Sequence, residues 1–164
     1  MSRAAFSHYI QNVSTTRVQF LAFLMAVWFT FNGPAGLAIS HDFPVHTTGA
    51  MYSASFYAFG VIPVAVNGWH ALFHLATGVA GLLCVRTRTG AIGYAAATAL
   101  VYWGMAAVCA TAGMGVCEIM AVDPFATWVH VSEGLILAGI ATYGILKTTV
   151  PSSIPVLSGS AETP

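Results

Sequence analysis

Charged side chains are scarce in this sequence. Only 6% of its 164 residues are Asp, Glu, Lys or Arg, whereas 57% are hydrophobic; a soluble domain carries about 25% charged residues. So few charges cannot cover the surface of a water-soluble protein of this length, and the composition therefore predicts an integral membrane protein. The net charge of zero argues against nucleic acid or an acidic membrane surface as the main partner.

Cysteine is scarce too, and three Cys in mostly apolar surroundings do not make a disulfide framework. Cys109 and Cys117 are eight residues apart. In one continuous helix that separation spans about 12 Å, whereas a bridge needs Cα atoms within about 7 Å. We therefore expect no disulfide between them. The sequence also has no nucleophile–base pair, phosphate-binding loop or nucleotide motif, which disfavours an enzyme.

Long apolar stretches between the charged residues indicate membrane spans. A helix needs about 20 apolar residues to cross the hydrocarbon, and four stretches qualify. The predicted spans are 18–39, 63–85, 90–115 and 125–146, with an N-terminal segment 1–17, an outer loop 41–62 and a disordered tail 148–164. We expect Asp123 to cap the fourth helix and Pro124 to take its first position. The short turns predict an all-α, up-down bundle of four transmembrane helices.

The basic residues predict the orientation of this bundle. All five fall on one side of the predicted spans, namely Arg3, Arg17, Arg86, Arg88 and Lys147. The positive-inside rule makes that side the cytoplasm. Both termini are therefore predicted to be cytoplasmic, in a multi-pass protein of the plasma membrane.

Two of the predicted helices carry polar residues near their outer ends. In the second, Asn67, His70 and His74 lie within about 80° of one another and of Gly78 and Gly81 at 100° per residue. A stripe of polar and small residues faces protein rather than lipid, because small residues allow the close helix packing that holds membrane bundles together.

The fourth predicted helix has a similar stripe, in which His130 and Gly134 align and Glu133 lies about 60° to the side. Both helices run from the outside inwards, so His70 and His130 are expected at similar depth. If the stripes face each other, one polar cluster forms beneath the outer leaflet, made of Asn67, His70, His74, His130 and Glu133.

Polar groups inside a membrane are costly and usually functional, and this cluster has several interpretations. The imidazoles and Asn67 suit a structural hydrogen-bond network, in which Asn67 is a helix cap. His70, His74 and His130, with Glu133, also suit a transition-metal site. One His from each helix suits b-type haem, and a titrating His suits a proton relay or a quinone head group.

Two motifs resemble a known family. The segment from Val66 to His74, Val-Asn-Gly-Trp-His-Ala-Leu-Phe-His, is followed by Gly78-Val-Ala-Gly-Leu82 and is similar to the signature of the DUF4383 membrane proteins. The later Trp128-Val-His130, with Gly134 four residues on, resembles that family's fourth-helix pattern. Glu133 stands where this pattern has an apolar residue. The resemblance implies a small bacterial four-helix membrane protein in which His70, His74 and His130 matter, and it implies no reaction.

Three classes of function remain open at this point. The first is a non-enzymatic membrane protein, acting as an accessory subunit of a larger membrane complex or as a homo-oligomer in the bilayer. The second is a metal- or haem-binding protein that uses the histidine cluster. The third is a proton- or quinone-linked redox or transport component, against which four helices alone rarely enclose a pathway.

Overall fold

The computed structural model describes residues 2–47, 54–111 and 115–149, and these are mostly helical. A short antiparallel hairpin pairs Phe56 with Val64 and Ala58 with Ile62, which adds a β element to the all-α fold expected. The elements in chain order are α1 (Arg3–Val13), α2 (Arg17–Ile39), β1 (Phe56–Ala58), β2 (Ile62–Val64), α3 (Gly68–Cys84), α4 (Arg88–Thr111), α5 (Gly115–Ile119) and α6 (Pro124–Thr149).

Among the described residues, three helices are long and apolar enough to cross a membrane. They are α2, α4 and α6, with 23, 24 and 26 residues. Helix α3 is apolar as well but shorter, with 17 residues. Large apolar side chains such as Phe31, Leu100 and Trp128 lie on the outside of this assembly, with more than half of their surface exposed. The helices therefore have the length, composition and surface of a membrane protein.

Small residues bring α2 and α3 into close contact. Gly36 packs on Ala71, and Gly78 packs so tightly on Thr30 that no Cβ would fit. The contacts run in opposite order along the two helices, so they are antiparallel. Close approach through glycine is the usual means of helix association where no water is present to drive it.

Helices α4 and α6 pack in the same way. Gly134 lies against the indole of Trp103, and Gly144 lies against Ile92, without space for a Cβ at either glycine. This pair is also antiparallel. The small residues that the sequence places in the helix stripes thus occur where two helices meet.

The start of α2 and the end of α6 lie at the same end of the fold. Val18 is next to Gly144, and Arg88 donates to the carbonyl of Gly144 at 2.7 Å. Gln19 donates to the carbonyl of Val85, at the end of α3, at 3.2 Å. The turns that carry the basic residues are therefore together.

Asp123 connects the elements at the opposite end. Its Oδ1 accepts from the backbone N–H of Ala126 at 2.7 Å, and its Oδ2 accepts from the backbone N–H of Ala65 at 2.7 Å. The predicted cap at Asp123, with Pro124 as the first helical residue, is confirmed. The same side chain fastens the hairpin segment to α6.

The second helix begins later than the predicted bound of residue 63. Ile62–Val64 pairs as strand β2, and α3 starts at Gly68. The side chain of Asn67 accepts the backbone N–H of His70 at 3.2 Å and so sets the helix start. Hydropathy alone does not separate a short apolar strand from the first turn of a helix.

The expectation that Cys109 and Cys117 stay unbridged is wrong. They form a disulfide with a Cα–Cα distance of 5.6 Å. The expectation assumed one helix to about residue 115, but α4 ends at Thr111 and α5 begins at Gly115. Because the two cysteines belong to different helices, the rise of a single helix does not separate them.

Parts of four predicted segments lie outside the described residues. They are residue 1 of the N-terminal segment, residues 48–53 of the outer loop, residues 112–114 of the third predicted span and residues 150–164 of the tail. The first residues of the predicted tail, Thr148 and Thr149, belong to α6 instead of a disordered segment.

Candidate functional site

Three imidazoles meet at one point between α3 and α6. His70 and His74 lie one turn apart on α3, and their rings stack with centroids 5.1 Å apart. The ring of His130, from α6, lies 5.4 Å from that of His70 and 5.6 Å from that of His74. The predicted meeting of the three imidazoles agrees with this geometry. The small residues of the two stripes do not face each other, because Gly78 packs on Thr30 of α2 and Gly134 packs on Trp103 of α4.

The histidine triad, as we call His70, His74 and His130, is buried. These side chains are 5%, 8% and 1% exposed. One ring nitrogen from each lies within 4.8 Å of the other two. Three neutral imidazole nitrogens are a donor set that transition metals use.

A chain of hydrogen bonds fixes the tautomer of His74. Thr77 Oγ1 lies 3.0 Å from the carbonyls of Phe73 and His74, and a carbonyl only accepts, so Thr77 donates its proton there. The hydroxyl of Tyr102, 3.1 Å from Thr77 Oγ1, must then donate to it. Tyr102 is left to accept from His74 Nδ1 at 3.0 Å. His74 therefore carries its proton on Nδ1, and Nε2 keeps a lone pair.

His70 has one ring nitrogen without a partner. Its Nδ1 is buried and makes no hydrogen bond among the described residues, so it is available as a metal ligand. The backbone of Ala121 lies beside the ring. Ala121 stands between α5 and α6 with a positive φ of 52°, which is uncommon for a residue other than glycine.

His130 differs, because neither of its ring nitrogens has a hydrogen-bond partner within the described ranges. The ring is 1% exposed and packs against Tyr102 and Phe73, with centroids 5.1 and 6.1 Å away. A buried polar group without a partner costs about 1–3 kcal/mol. Such a group in a native fold calls for an explanation, of which an absent ion is one.

Glu133 is near the histidine triad but not a member of it. Its Oε1 accepts the indole N–H of Trp28 at 2.8 Å, and its Oε2 is buried without a partner among the described atoms. Asn67 is also outside the triad. Besides capping α3 it donates from Nδ2 to the carbonyl of Ile119 at 2.6 Å, which agrees with its interpretation as a structural polar residue.

Sequence analysis missed Tyr102 and Trp28, which orient His74 and Glu133. One signal was available, since a tyrosine hydroxyl or an indole N–H within an apolar span needs a hydrogen-bond partner. Which polar side chain each would meet depends on how α2 and α4 rotate against their neighbours, and periodicity does not fix this rotation.

Apolar helices around a buried group of three imidazoles define a membrane protein with a candidate metal-binding site. The chain belongs to the DUF4383 family, described as a domain of unknown function, whose profile matches residues 19–143. The matched segment covers most of the chain and includes the histidine triad, so the resemblance seen in the sequence is confirmed. Neither a curated protein nor a solved structure is detectably similar to the chain.

Proposed function

We propose that the chain crosses the membrane four times and binds one transition-metal ion through His70, His74 and His130. Zn²⁺ is the ion that we propose to test. The observation that carries the proposal is the convergence of one ring nitrogen from each of three buried histidines within 4.8 Å. Glu133 is not needed as a ligand.

An even number of crossings is supported by the ends of the helices. Val18 of α2 and Gly144 of α6 are neighbours, which agrees with a chain that enters and leaves the bundle on the same side. Helices α2, α4 and α6 supply three. Helix α3, antiparallel to α2, supplies the fourth; its 17 residues span about 25 Å, close to the hydrocarbon thickness of about 30 Å.

The orientation is supported by charge and by cysteine. The basic turns lie at one end of the fold, which the positive-inside rule assigns to the cytoplasm. The Cys109–Cys117 disulfide lies towards the other end, and disulfides persist in oxidising compartments outside the cytoplasm. We therefore place both termini in the cytoplasm and the chain in a bacterial plasma membrane, the setting that the family resemblance suggests.

Cysteine labelling in intact cells tests this orientation. In a Cys84→Ala background, we expect an impermeant thiol reagent to label Phe59→Cys, whose parent side chain is 92% exposed. Ser7→Cys in α1 should react only after the cells are permeabilised. The reverse pattern would place the histidine triad on the cytoplasmic side.

The triad fits a metal ion with a small adjustment. In an equilateral triangle with edges of 4.8 Å, each nitrogen lies about 2.8 Å from the centre, whereas a Zn–N bond is about 2.0–2.1 Å. Each ligand atom therefore needs to move by about 0.7 Å, which side-chain rotation can supply. Hydrogen bonds that orient the outer nitrogen are typical of metal-binding histidines, and His74 makes one with Tyr102 at 3.0 Å.

The donor set favours a transition metal such as Zn²⁺ over Mg²⁺ and Ca²⁺. Three neutral imidazoles without a carboxylate or thiolate suit Zn, Cu or Ni, whereas Mg and Ca prefer oxygen ligands. For the chain we propose a non-enzymatic role, as a subunit of a membrane complex.

A b-type haem does not fit this arrangement. Axial histidines lie on opposite faces of a flat macrocycle, but the rings of His74 and His130 are 5.6 Å apart and in contact with each other. Phe73 and Tyr102 pack against His130 as well. No planar slot separates the imidazoles.

Metal content of the purified protein tests the proposal. We expect one Zn²⁺ per chain after equilibrium dialysis against buffered Zn²⁺. His130→Ala should weaken binding by more than the about 10–100-fold typical of a lost outer-shell contact, because it removes a ligand. His8→Ala, on exposed α1, is the matched control and should bind as the parent does. Equal metal content in all three proteins, or none in the parent, would refute the site.

A further inference from the structure

A cavity of about 500 Å³ adjoins the histidine triad. It lies between α2, α3 and α6 and beneath the hairpin. Its walls are mostly apolar, and Trp28, Phe56 and Phe59 at its rim are exposed, so it opens to the outside of the helices. Small-molecule sites are commonly of this kind, apolar with a few convergent polar groups.

Three polar side chains in its wall have an atom without a partner in the described part of the chain: His70, through the Nδ1 described above, and two residues of α6. His130 and Glu133 both line the cavity, are 1% and 5% exposed, and belong to one face of α6, since residues three apart are neighbours on a helix. Glu133 Oε2 has no hydrogen-bond partner among the described residues, and the same holds for both nitrogens of His130.

His130 and Glu133 need hydrogen-bond partners of opposite kinds. A neutral imidazole has one N–H donor and one acceptor nitrogen. If the acceptor nitrogen of His130 points into the triad, its N–H remains to be satisfied. A carboxylate oxygen at Glu133 only accepts. One donor and one acceptor thus await a partner within the same apolar cavity.

We propose that this cavity binds a lipophilic alcohol or phenol from the bilayer, with its hydroxyl group between His130 and Glu133. The hydroxyl oxygen accepts from the imidazole N–H, and the hydroxyl proton is donated to Glu133 Oε2. The hydrocarbon part of the ligand fills the apolar remainder of the cavity and extends out of it between α2 and α6.

Other head groups meet the two residues less completely. An ether or a ketone accepts from His130 but has no proton for Glu133. An ammonium group donates to Glu133 but does not accept from His130, and a carboxylate is repelled by Glu133. A lipid acyl chain satisfies neither. The hydroxyl is the simplest group that both donates and accepts.

Native mass spectrometry of the detergent-solubilised full chain tests the proposal with a matched pair of probes. The probes are 4-octylphenol and its methyl ether, which have the same shape apart from one methyl group but differ in the hydroxyl proton. We expect one phenol per chain and binding at least about tenfold tighter than that of the ether, because the ether leaves Glu133 unpaired.

Glu133→Gln tests whether Glu133 is the acceptor for the hydroxyl proton of the phenol. The glutamine oxygen still accepts from Trp28, and its amide group now donates into the cavity, so an ether oxygen is as good a partner as a phenol. The preference for the phenol should fall to near parity. Ser132→Ala, on the exposed side of the same turn, is the control and should keep the preference.

Each outcome bears on the proposal. Equal binding of phenol and ether by the parent chain, or no binding of either, would overturn it, and this holds even if Glu133→Gln fails to fold. A preference that survives in Glu133→Gln would also overturn it. The measurement uses chelator-treated, metal-free protein, so its result stands apart from that of the proposed metal site.

Discussion

Replacing Tyr102 by Phe tests whether the hydrogen bonds behind the histidine triad matter for metal binding. Tyr102 is fully buried, and its ring stacks on Phe29 with centroids 4.7 Å apart. The substitution keeps the ring and removes only the hydroxyl. That hydroxyl is the acceptor for His74 Nδ1 at 3.0 Å, so without it nothing holds the lone pair of His74 on Nε2.

The expected loss of zinc affinity can be taken from metal sites in other proteins. Loss of a partner that orients a metal-bound histidine costs about 10–100-fold in affinity. We expect Tyr102→Phe to weaken Zn²⁺ binding by that factor. It should also lower the free energy of unfolding by about 1–3 kcal/mol, because the buried N–H of His74 loses its acceptor.

A competition titration against a fluorescent zinc chelator measures this affinity. The control is Tyr94→Phe, the same substitution at another buried tyrosine of α4, whose hydroxyl makes no hydrogen bond with the triad. It should change zinc affinity by less than about threefold. If Tyr102→Phe binds zinc as tightly as the parent, the hydrogen-bond chain does not set the tautomer and the reasoning fails.

Three further predictions concern stability in detergent, each measured as a free energy of unfolding. The double variant Cys109→Ala/Cys117→Ala should lose about 2–3 kcal/mol, as expected for a short disulfide loop, and an unchanged value would mean the bridge does not constrain the chain. Gly78→Ala should destabilise the packing of α2 on α3, because the added Cβ meets Thr30. The control is Gly93→Ala, where the added Cβ has open space, and this substitution should be neutral or slightly stabilising. Equal effects of the two substitutions would contradict the close approach of α2 and α3. Asp123→Ala should cost about 1–3 kcal/mol or more, because two buried backbone N–H groups lose their acceptor, and a loss under about 0.5 kcal/mol would contradict that role.

The sequence predicted the membrane character, the small residues at helix contacts and the meeting of three histidines. These features depend on the composition and on the spacing of polar and small residues at the helical period of about 3.6 residues. Both can be read directly from the sequence. The polar stripe from Asn67 to His74 had to face protein, and the stripe around His130 was the available counterpart.

Other features depended on contacts that periodicity does not encode. The hairpin before Gly68 is too short to differ from the start of a helix in hydropathy. The disulfide was missed because no charged residue or proline indicates that α4 ends at Thr111 and that a separate helix, α5, begins at Gly115. Glu133 meets Trp28 rather than the histidines, since the rotation of α2 against α6 is set by packing of the whole bundle.

X-ray absorption spectroscopy of the zinc-loaded protein tests the histidine site, because it identifies the ligands of the ion itself. We expect a first shell with three imidazole nitrogens at about 2.0–2.1 Å from the zinc and no sulfur. A shell of oxygen ligands alone would contradict this site, and so would the sulfur of Cys84 at about 2.3 Å from the zinc. Either result would show that zinc binds elsewhere and that His70, His74 and His130 do not form the site.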